Sequence, residues 1–131
     1  MPDVAGADLY FVDFVYEKER MDEIAKDANS LIVLDHHAGV QEVTKSFPGS
    51  VFDNDRSGAT LAWNYFHPGA PVPFLLSFVE DDDLFLFKLP DTRAVVSYLA
   101  VKPYTFESWD ELREMLDDPA KSEDFLIKVR T

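Results

Sequence analysis

Two short apolar runs with an amphipathic segment between them constrain the fold of this chain most. Residues 9–12 (LYFV) and 31–34 (LIVL) are apolar, aromatic or β-branched, which is typical of fully buried strands. Between them, residues 17–30 place apolar side chains at helical spacing and charges on the opposite face. A strand, a helix and a second strand in this order indicate a parallel βαβ unit. The sequence therefore predicts an α/β fold in which helices flank a parallel sheet.

Polar groups follow both predicted strands directly. Asp13 comes after the first run, and Asp35, His36 and His37 come after the second. In parallel sheets, ligand sites form just beyond the carboxyl ends of the strands. Carboxylate and imidazole groups are ligands for Mn²⁺, Mg²⁺ or Zn²⁺. These four residues are the best candidate site, and the alternative interpretation is a polar loop in which one histidine is simply exposed.

The rest of the chain predicts more helices than strands. Residues 38–49, with two glycines and a proline, predict a loop, and residues 50–53 a short strand. Helices are predicted from about Ser57, over residues 72–80, from Pro90 to Ala100, and twice in the tail, where residues 108–111 have capping-box spacing and Asp118-Pro119 resembles a cap followed by proline. We therefore expect a helical C-terminal tail.

Charge and composition exclude several classes of function. Twelve Lys and Arg against 25 Asp and Glu give a net charge of −13 over 131 residues, which excludes a long basic track for nucleic acid. Without cysteine there are no disulfides, thiolate metal sites or thiol catalysis. No stretch approaches the roughly 20 apolar residues of a membrane span, and the first residues lack the basic region of a signal peptide. We expect a soluble, cytoplasmic protein that does not act on membranes.

Two further groups have both a functional and a structural interpretation. Residues 81–83 are three consecutive Asp at a predicted helix C-terminus, where acids oppose the helix dipole. A bound cation would explain that placement, and a solvated helix end is the alternative. Arg56, Ser57 and Gly58 at a helix start could bind an anion. The alternative there is ordinary capping by Ser57 beside an exposed Arg56.

The triplet Asp35-His36-His37 after LIVL, with YFVDF upstream, resembles the signature of the DHH phosphoesterase superfamily. The resemblance covers roughly residues 8–115, including the segments SFPGSVFDNDRSGATLAWNYFHPGAPVP and FVEDDDLFLFKLPD. That superfamily includes single-strand-specific exonucleases, oligoribonucleases, cyclic-dinucleotide phosphodiesterases and family II inorganic pyrophosphatases. The resemblance implies a Mn²⁺-dependent (or Mg²⁺-dependent) hydrolase that cleaves small phosphoesters or short oligonucleotides by two-metal activation of water.

The resemblance also implies the metal ligands. Asp13 would bridge two ions and His36 would bind one of them. An acid of the segment 81–83 would complete the set, for which Asp81 is favoured and Asp83 is the alternative.

Other residues would act around the metal. His37 would face the substrate phosphate, and Arg56 would help to stabilise the negative charge that develops on it. Asp35 would orient His36 or its neighbours without binding the metal itself.

Two parts of the family pattern are not found in this sequence. The first motif, a His followed by paired Asp, is absent, since no His precedes His36 and the early acids Asp3 and Asp8 are not arranged like it. The C-terminal substrate-binding domain is missing as well. We therefore interpret residues 1–103 as a partial DHH catalytic domain and residues 104–131 as a helical extension. The competing hypothesis is a catalytically inactive DHH-like module for binding or assembly, and either form could be a homodimer.

Overall fold

A computed structural model of the chain describes residues 2–131 and has an α/β architecture. Within this range lie three strands and seven α-helices: β1 (Asp8–Val12), α1 (Lys18–Asp27), β2 (Ser30–Asp35), α2 (Gln41–Lys45), β3 (Val51–Phe52), α3 (Gly58–Phe66), α4 (Phe74–Asp83), α5 (Thr92–Val101), α6 (Phe106–Asp117) and α7 (Pro119–Val129). One 3₁₀ turn, Ala38–Val40, precedes α2. The predicted fold class, with its helical C-terminal end, is confirmed.

The chain divides into two compact units. The first unit ends at Pro68, and the second covers Gly69–Thr131. The boundary that the sequence predicts between residues 103 and 104 falls inside the second unit. The reason is that α4, α5, α6 and α7 share one hydrophobic core, so the tail is not a separate extension. Its buried members are Leu75, Phe78, Val95, Leu99, Leu112, Leu116 and Phe125.

The sheet of the first unit is parallel, with β2 in the middle and strand order β1-β2-β3. The register sets Val12 beside Leu34. One further backbone bond follows it, in which Asp13 N donates to Leu34 O at 2.9 Å. On the other side, Asp53 N donates to Asp35 O at 3.3 Å. The carboxyl ends of the three strands therefore carry an aspartate each, side by side.

The core of the first unit lies between the sheet and α1. Leu31 and Val33 of β2 pack with Met21 and Ile24, the apolar residues that recur at helical spacing in α1, and with Phe47. Burying a side chain of this size stabilises the fold by about 1.5–3 kcal/mol. This packing holds β1 and β2 together and fixes where their carboxyl ends lie.

Two local predictions are wrong, and one is confirmed. Residues 38–49 are not all loop, because α2 forms within them and buries Thr44 completely. The capping box at residues 108–111 is also wrong, since α6 begins earlier, with Thr105 Oγ1 accepting from Ser108 N at 3.2 Å. At α7 the predicted cap is confirmed: the Asp118 carboxylate accepts from the backbone N–H of Ala120 at 3.0 Å. Of the helices in residues 2–131, none has the length and apolar character needed to cross a bilayer.

Candidate metal centre

Three side chains converge just beyond the carboxyl ends of β1 and β2. Asp13, His36 and His37 each offer one ligand atom, and these atoms all lie within 4.8 Å of one another. Asp13 Oδ1 and His36 Nε2 lie 3.0 Å apart. His37 Nδ1 lies 3.9 Å from the same Asp13 oxygen. The parallel βαβ arrangement thus brings Asp13 beside two histidines that lie 23 and 24 positions later in the sequence.

Asp13 owes its position to a left-handed backbone conformation. Its φ is +62°, a value that few residues other than glycine adopt and that Asp tolerates better than most. The chain therefore leaves β1 sharply after the last ladder bond. The turn directs the carboxylate toward Gly58, the first residue of α3.

Asp35 lies beneath the two histidines and is fully buried. Its Oδ1 accepts from the backbone N–H of His36 at 2.7 Å and of His37 at 2.8 Å. The same oxygen lies 2.8 Å from His37 Nδ1. Its other oxygen, Oδ2, is buried without a hydrogen-bond partner anywhere in residues 2–131. A buried, unsatisfied carboxylate oxygen is unfavourable unless a cation or another donor compensates it.

The two histidines are placed differently with respect to solvent. The His36 side chain is 7% exposed and the His37 side chain 56% exposed. Because an ionised carboxylate only accepts, His37 Nδ1 donates to Asp35, and the neutral ring then carries its lone pair on Nε2. His36 presents Nε2 to Asp13, whereas His37 stands on the solvent side with its orientation held by Asp35. Asp35 thus bonds the backbone N–H of His36 and the ring of His37, and its supporting role at a metal site stays a prediction.

The donor set could hold one divalent metal ion. Metal–oxygen distances of about 2.0–2.1 Å in octahedral geometry place neighbouring ligand atoms about 3 Å apart. Asp13 Oδ1 and His36 Nε2 have this separation. The unsatisfied Oδ2 of Asp35 adds negative charge beneath them. In the part of the chain that the structure describes, a second group of three such ligands is not found.

Asp81, the favoured third ligand, belongs to the second unit and makes its hydrogen bonds there. Its Oδ1 accepts from Lys88 N at 2.8 Å, and its Oδ2 accepts from Leu89 N at 3.1 Å and from the Thr92 hydroxyl. Burial raises the pKa of Asp81, but these hydrogen bonds outweigh it and hold the pKa below its usual value. They explain the acid at the end of α4 without a cation, so its role as a metal ligand stays a prediction. The alternative ligand Asp83 is exposed.

The start of α3 follows the structural interpretation of the sequence. Ser57 is fully buried, and its Oγ accepts from Thr60 N at 3.1 Å, which is ordinary capping. Arg56, the predicted catalytic cation, is exposed on the preceding turn. Because the Asp13 carboxylate lies against Gly58, the chain's own side chain takes the place that an anion would occupy there. The catalytic role of Arg56 stays a prediction.

Two residues at this edge of the sheet were missed by sequence reasoning. Asp53 follows β3, where its Oδ1 accepts from Asp55 N at 2.9 Å. Its signal, an acid after a strand, was the one used for Asp13, but a two-residue strand is too short to stand out. For Gly58 the sequence predicts only a place in an anion site. Its contact with Asp13 depends on how α3 packs, and no sequence pattern marks it.

Comparison with known proteins identifies a match to an uncharacterized viral protein. No protein-family model and no solved structure matches the chain. It is 30% identical over 120 residues to the uncharacterized protein R106 of Acanthamoeba polyphaga mimivirus, a match that covers 89% of this chain and 28% of that protein. The chain thus spans just over a quarter of the length of the relative that it matches.

Proposed function

We propose that the first unit carries the metal centre of a phosphoesterase resembling the DHH superfamily, which uses Mn²⁺ or Mg²⁺ to hydrolyse small phosphoesters or short oligonucleotides. One observation carries the proposal. Asp13 Oδ1 and His36 Nε2 meet at ligand distance, 3.0 Å, above a buried carboxylate with an unsatisfied oxygen. They do so beyond the carboxyl ends of parallel strands, where α/β proteins bind their ligands.

The residues of the site have different proposed roles, according to how far each is exposed to solvent. Asp13 and His36 would hold the ion, which when bound polarises a phosphate oxygen and lowers the pKa of a water molecule. Asp35 holds the ring of His37 through Nδ1, at 2.8 Å. The solvent-facing side of that ring can then donate a hydrogen bond from Nε2 to a phosphate oxygen when the ring is protonated. Arg56 on the turn before α3 is the proposed second cation for the same charge.

The charge of the chain limits the size of the substrate. With a net charge of −13, the protein repels a long polyanion except where a local cation reverses the field. A substrate with one or a few phosphates needs only that local reversal. This supports small phosphoesters and short oligonucleotides over long nucleic acid.

A second candidate function, metal binding without hydrolysis, has one observation in its favour. Two-metal hydrolysis needs ions about 3.5–4 Å apart, each with its own ligands. Within residues 2–131, Asp13, His36 and His37 are the single group of three potential ligands. One ion at this group would make the unit a metal-dependent binding or assembly module.

The experiment compares Mn²⁺ binding with turnover. We expect the protein to bind Mn²⁺ in titration calorimetry, His36→Ala to weaken that binding at least roughly tenfold, and His67→Ala to leave it unchanged. His67 is a matched control because it is the remaining histidine and lies at the end of α3 against the Trp63 ring, 4.2 Å between ring centroids.

Hydrolysis of bis-p-nitrophenyl phosphate then separates the two candidate functions. Mn²⁺-dependent turnover that is lost in His36→Ala supports the phosphoesterase. Binding without turnover supports the module. Equal Mn²⁺ affinity of the wild type and His36→Ala would move the metal site elsewhere and end both proposals.

A further inference from the structure

The first residue of α3 lies so close to Asp13 that no side chain fits between them. A Cβ atom at Gly58 would lie 2.5 Å from Asp13 Cβ and 2.7 Å from both Cγ and Oδ1. Favourable contacts between carbon atoms need about 3.5–4.0 Å. The contact involves the whole short side chain of Asp13, including its Cβ, so rotation of the carboxylate alone cannot relieve it.

The backbones on both sides of this contact are held in place. Asp13 N is bonded to Leu34 O at 2.9 Å, and its φ of +62° fixes the direction of its Cβ. On the helix side, Ser57 is fully buried and caps Thr60 N at 3.1 Å. Asp13 cannot withdraw without breaking its bond to Leu34, and α3 cannot withdraw without losing the contact of Phe66 with Tyr10 of β1, whose ring centroids lie 5.0 Å apart. The gap between them therefore decides where the Asp13 carboxylate lies.

The atom at the contact is also the proposed ligand atom. Asp13 Oδ1 is both 2.7 Å from the place of a Cβ at Gly58 and 3.0 Å from His36 Nε2. We infer that Gly58 is a positioning residue, which sets the Asp13–His36 distance of the metal centre through the space it leaves. The inference rests on the proposed metal site, but Gly58 sets the distance between Asp13 and His36 also when no metal is bound.

The test follows the His36 ring and Mn²⁺ affinity in Gly58→Ala. We expect this variant to change the metal-free ¹⁵N chemical shift of His36 Nε2, because Asp13 Oδ1 must move and its distance from His36 Nε2 then changes. Mn²⁺ affinity measured by calorimetry should fall roughly tenfold or more, as for other losses of ligand support. Gly39→Ala is the matched control, since a Cβ there meets nothing within 4 Å, and both quantities should stay at their wild-type values.

A second background keeps the inference testable if Gly58→Ala folds poorly. Asp13→Gly removes the atoms that the new methyl group would strike, and glycine accepts the left-handed backbone there. In that background Gly58→Ala should not lower the melting temperature further. Equal destabilisation in both backgrounds, or an unchanged His36 shift in a folded Gly58→Ala, would overturn the inference. Failure of the wild type to bind Mn²⁺ would refute the proposed metal site, while the metal-free shift would still decide the role of Gly58.

Discussion

The two units of the protein treat their buried carboxylates in opposite ways. In the second unit, Asp81 and Asp91 are 5% and 6% exposed, and both oxygens of each accept hydrogen bonds. In the first unit, Asp35 is 1% exposed and has one oxygen without a partner in the described part of the chain. A satisfied buried carboxylate stabilises its own surroundings, whereas an unsatisfied one needs a compensating group. Burial of an acid alone therefore does not indicate a ligand site. What indicates one is a buried carboxylate oxygen without a hydrogen-bond partner.

Asp81 shows what a satisfied acid does for the fold. Its backbone carbonyl accepts from Leu86 N at 2.9 Å, and its carboxylate accepts from the two N–H groups of Lys88 and Leu89. Between these bonds the chain passes through left-handed conformations at Phe85 (φ +54°) and Phe87 (φ +48°), which aromatic residues rarely adopt. The side chain of Asp81 thus holds a strained turn between α4 and α5.

The largest expected effect in this comparison comes from Asp81→Ala. Three donors lose their acceptor and the strained turn loses its anchor, so we expect the melting temperature to fall by on the order of 10 °C. Asp82→Ala, on the neighbouring position of α4, should change it by far less. Mn²⁺ affinity of the folded variant separates the two interpretations of Asp81: unchanged affinity assigns it to the turn alone, and weaker affinity supports the predicted ligand role.

Asp35→Asn tests the unsatisfied acid of the first unit. Asparagine keeps an oxygen for the backbone N–H groups of His36 and His37 but removes the buried negative charge. We expect the melting temperature to change little and Mn²⁺ affinity to fall about 10–100-fold, as for other residues that support metal ligands. If this variant abolished binding while His36→Ala kept it, Asp35 would be the ligand and His36 the supporting residue.

Acid should affect the satisfied carboxylates in a predictable direction. The Arg130 guanidinium beside Asp91 lowers the pKa of that carboxyl more than burial raises it. The pKa of an Asp in an unfolded chain is about 3.9. Since the folded pKa is the lower one, the stabilisation is complete above the unfolded value and is lost as pH falls through the folded value.

Replacing Arg130 should remove this protection. We expect Arg130→Gln to unfold at a higher pH than the wild type in an acid titration followed by circular dichroism. Above about pH 5 the spectra of the two proteins should be nearly the same. Arg113→Gln is a control, because its partner Asp110 is exposed on the same helix and not buried. Identical acid midpoints for the wild type and Arg130→Gln would show that the ion pair does not contribute.

The features that could be predicted from the sequence are those that lie within short segments of the chain. The βαβ pattern and the run Asp35-His36-His37 lie within short segments, and the parallel sheet then places Asp13 beside them because strand ends must align. Contacts between distant segments were not predictable: nothing in the sequence near Gly58 indicates that Asp13 lies against it. The partners of Asp81 follow it closely in the chain, but they depend on left-handed aromatic residues that no propensity favours.

We expect the smallest changes in stability from the helix caps, of which one lies in the first unit and one in the second. Ser57 caps α3 from a fully buried position, and Thr105 caps α6 from an exposed one. Removing an N-cap lowers the free energy of unfolding by about 0.5–2 kcal/mol. The loss is larger at a buried cap, because the backbone N–H that loses its acceptor cannot bond to water instead. We expect Ser57→Ala near the upper end and Thr105→Ala near the lower end in chemical denaturation. Ser108→Ala should cost less than either, since Ser108 donates its backbone N–H to the Thr105 cap. If Ser108→Ala lost more stability than Thr105→Ala, Ser108 would be the N-cap of α6, as the capping-box spacing predicts.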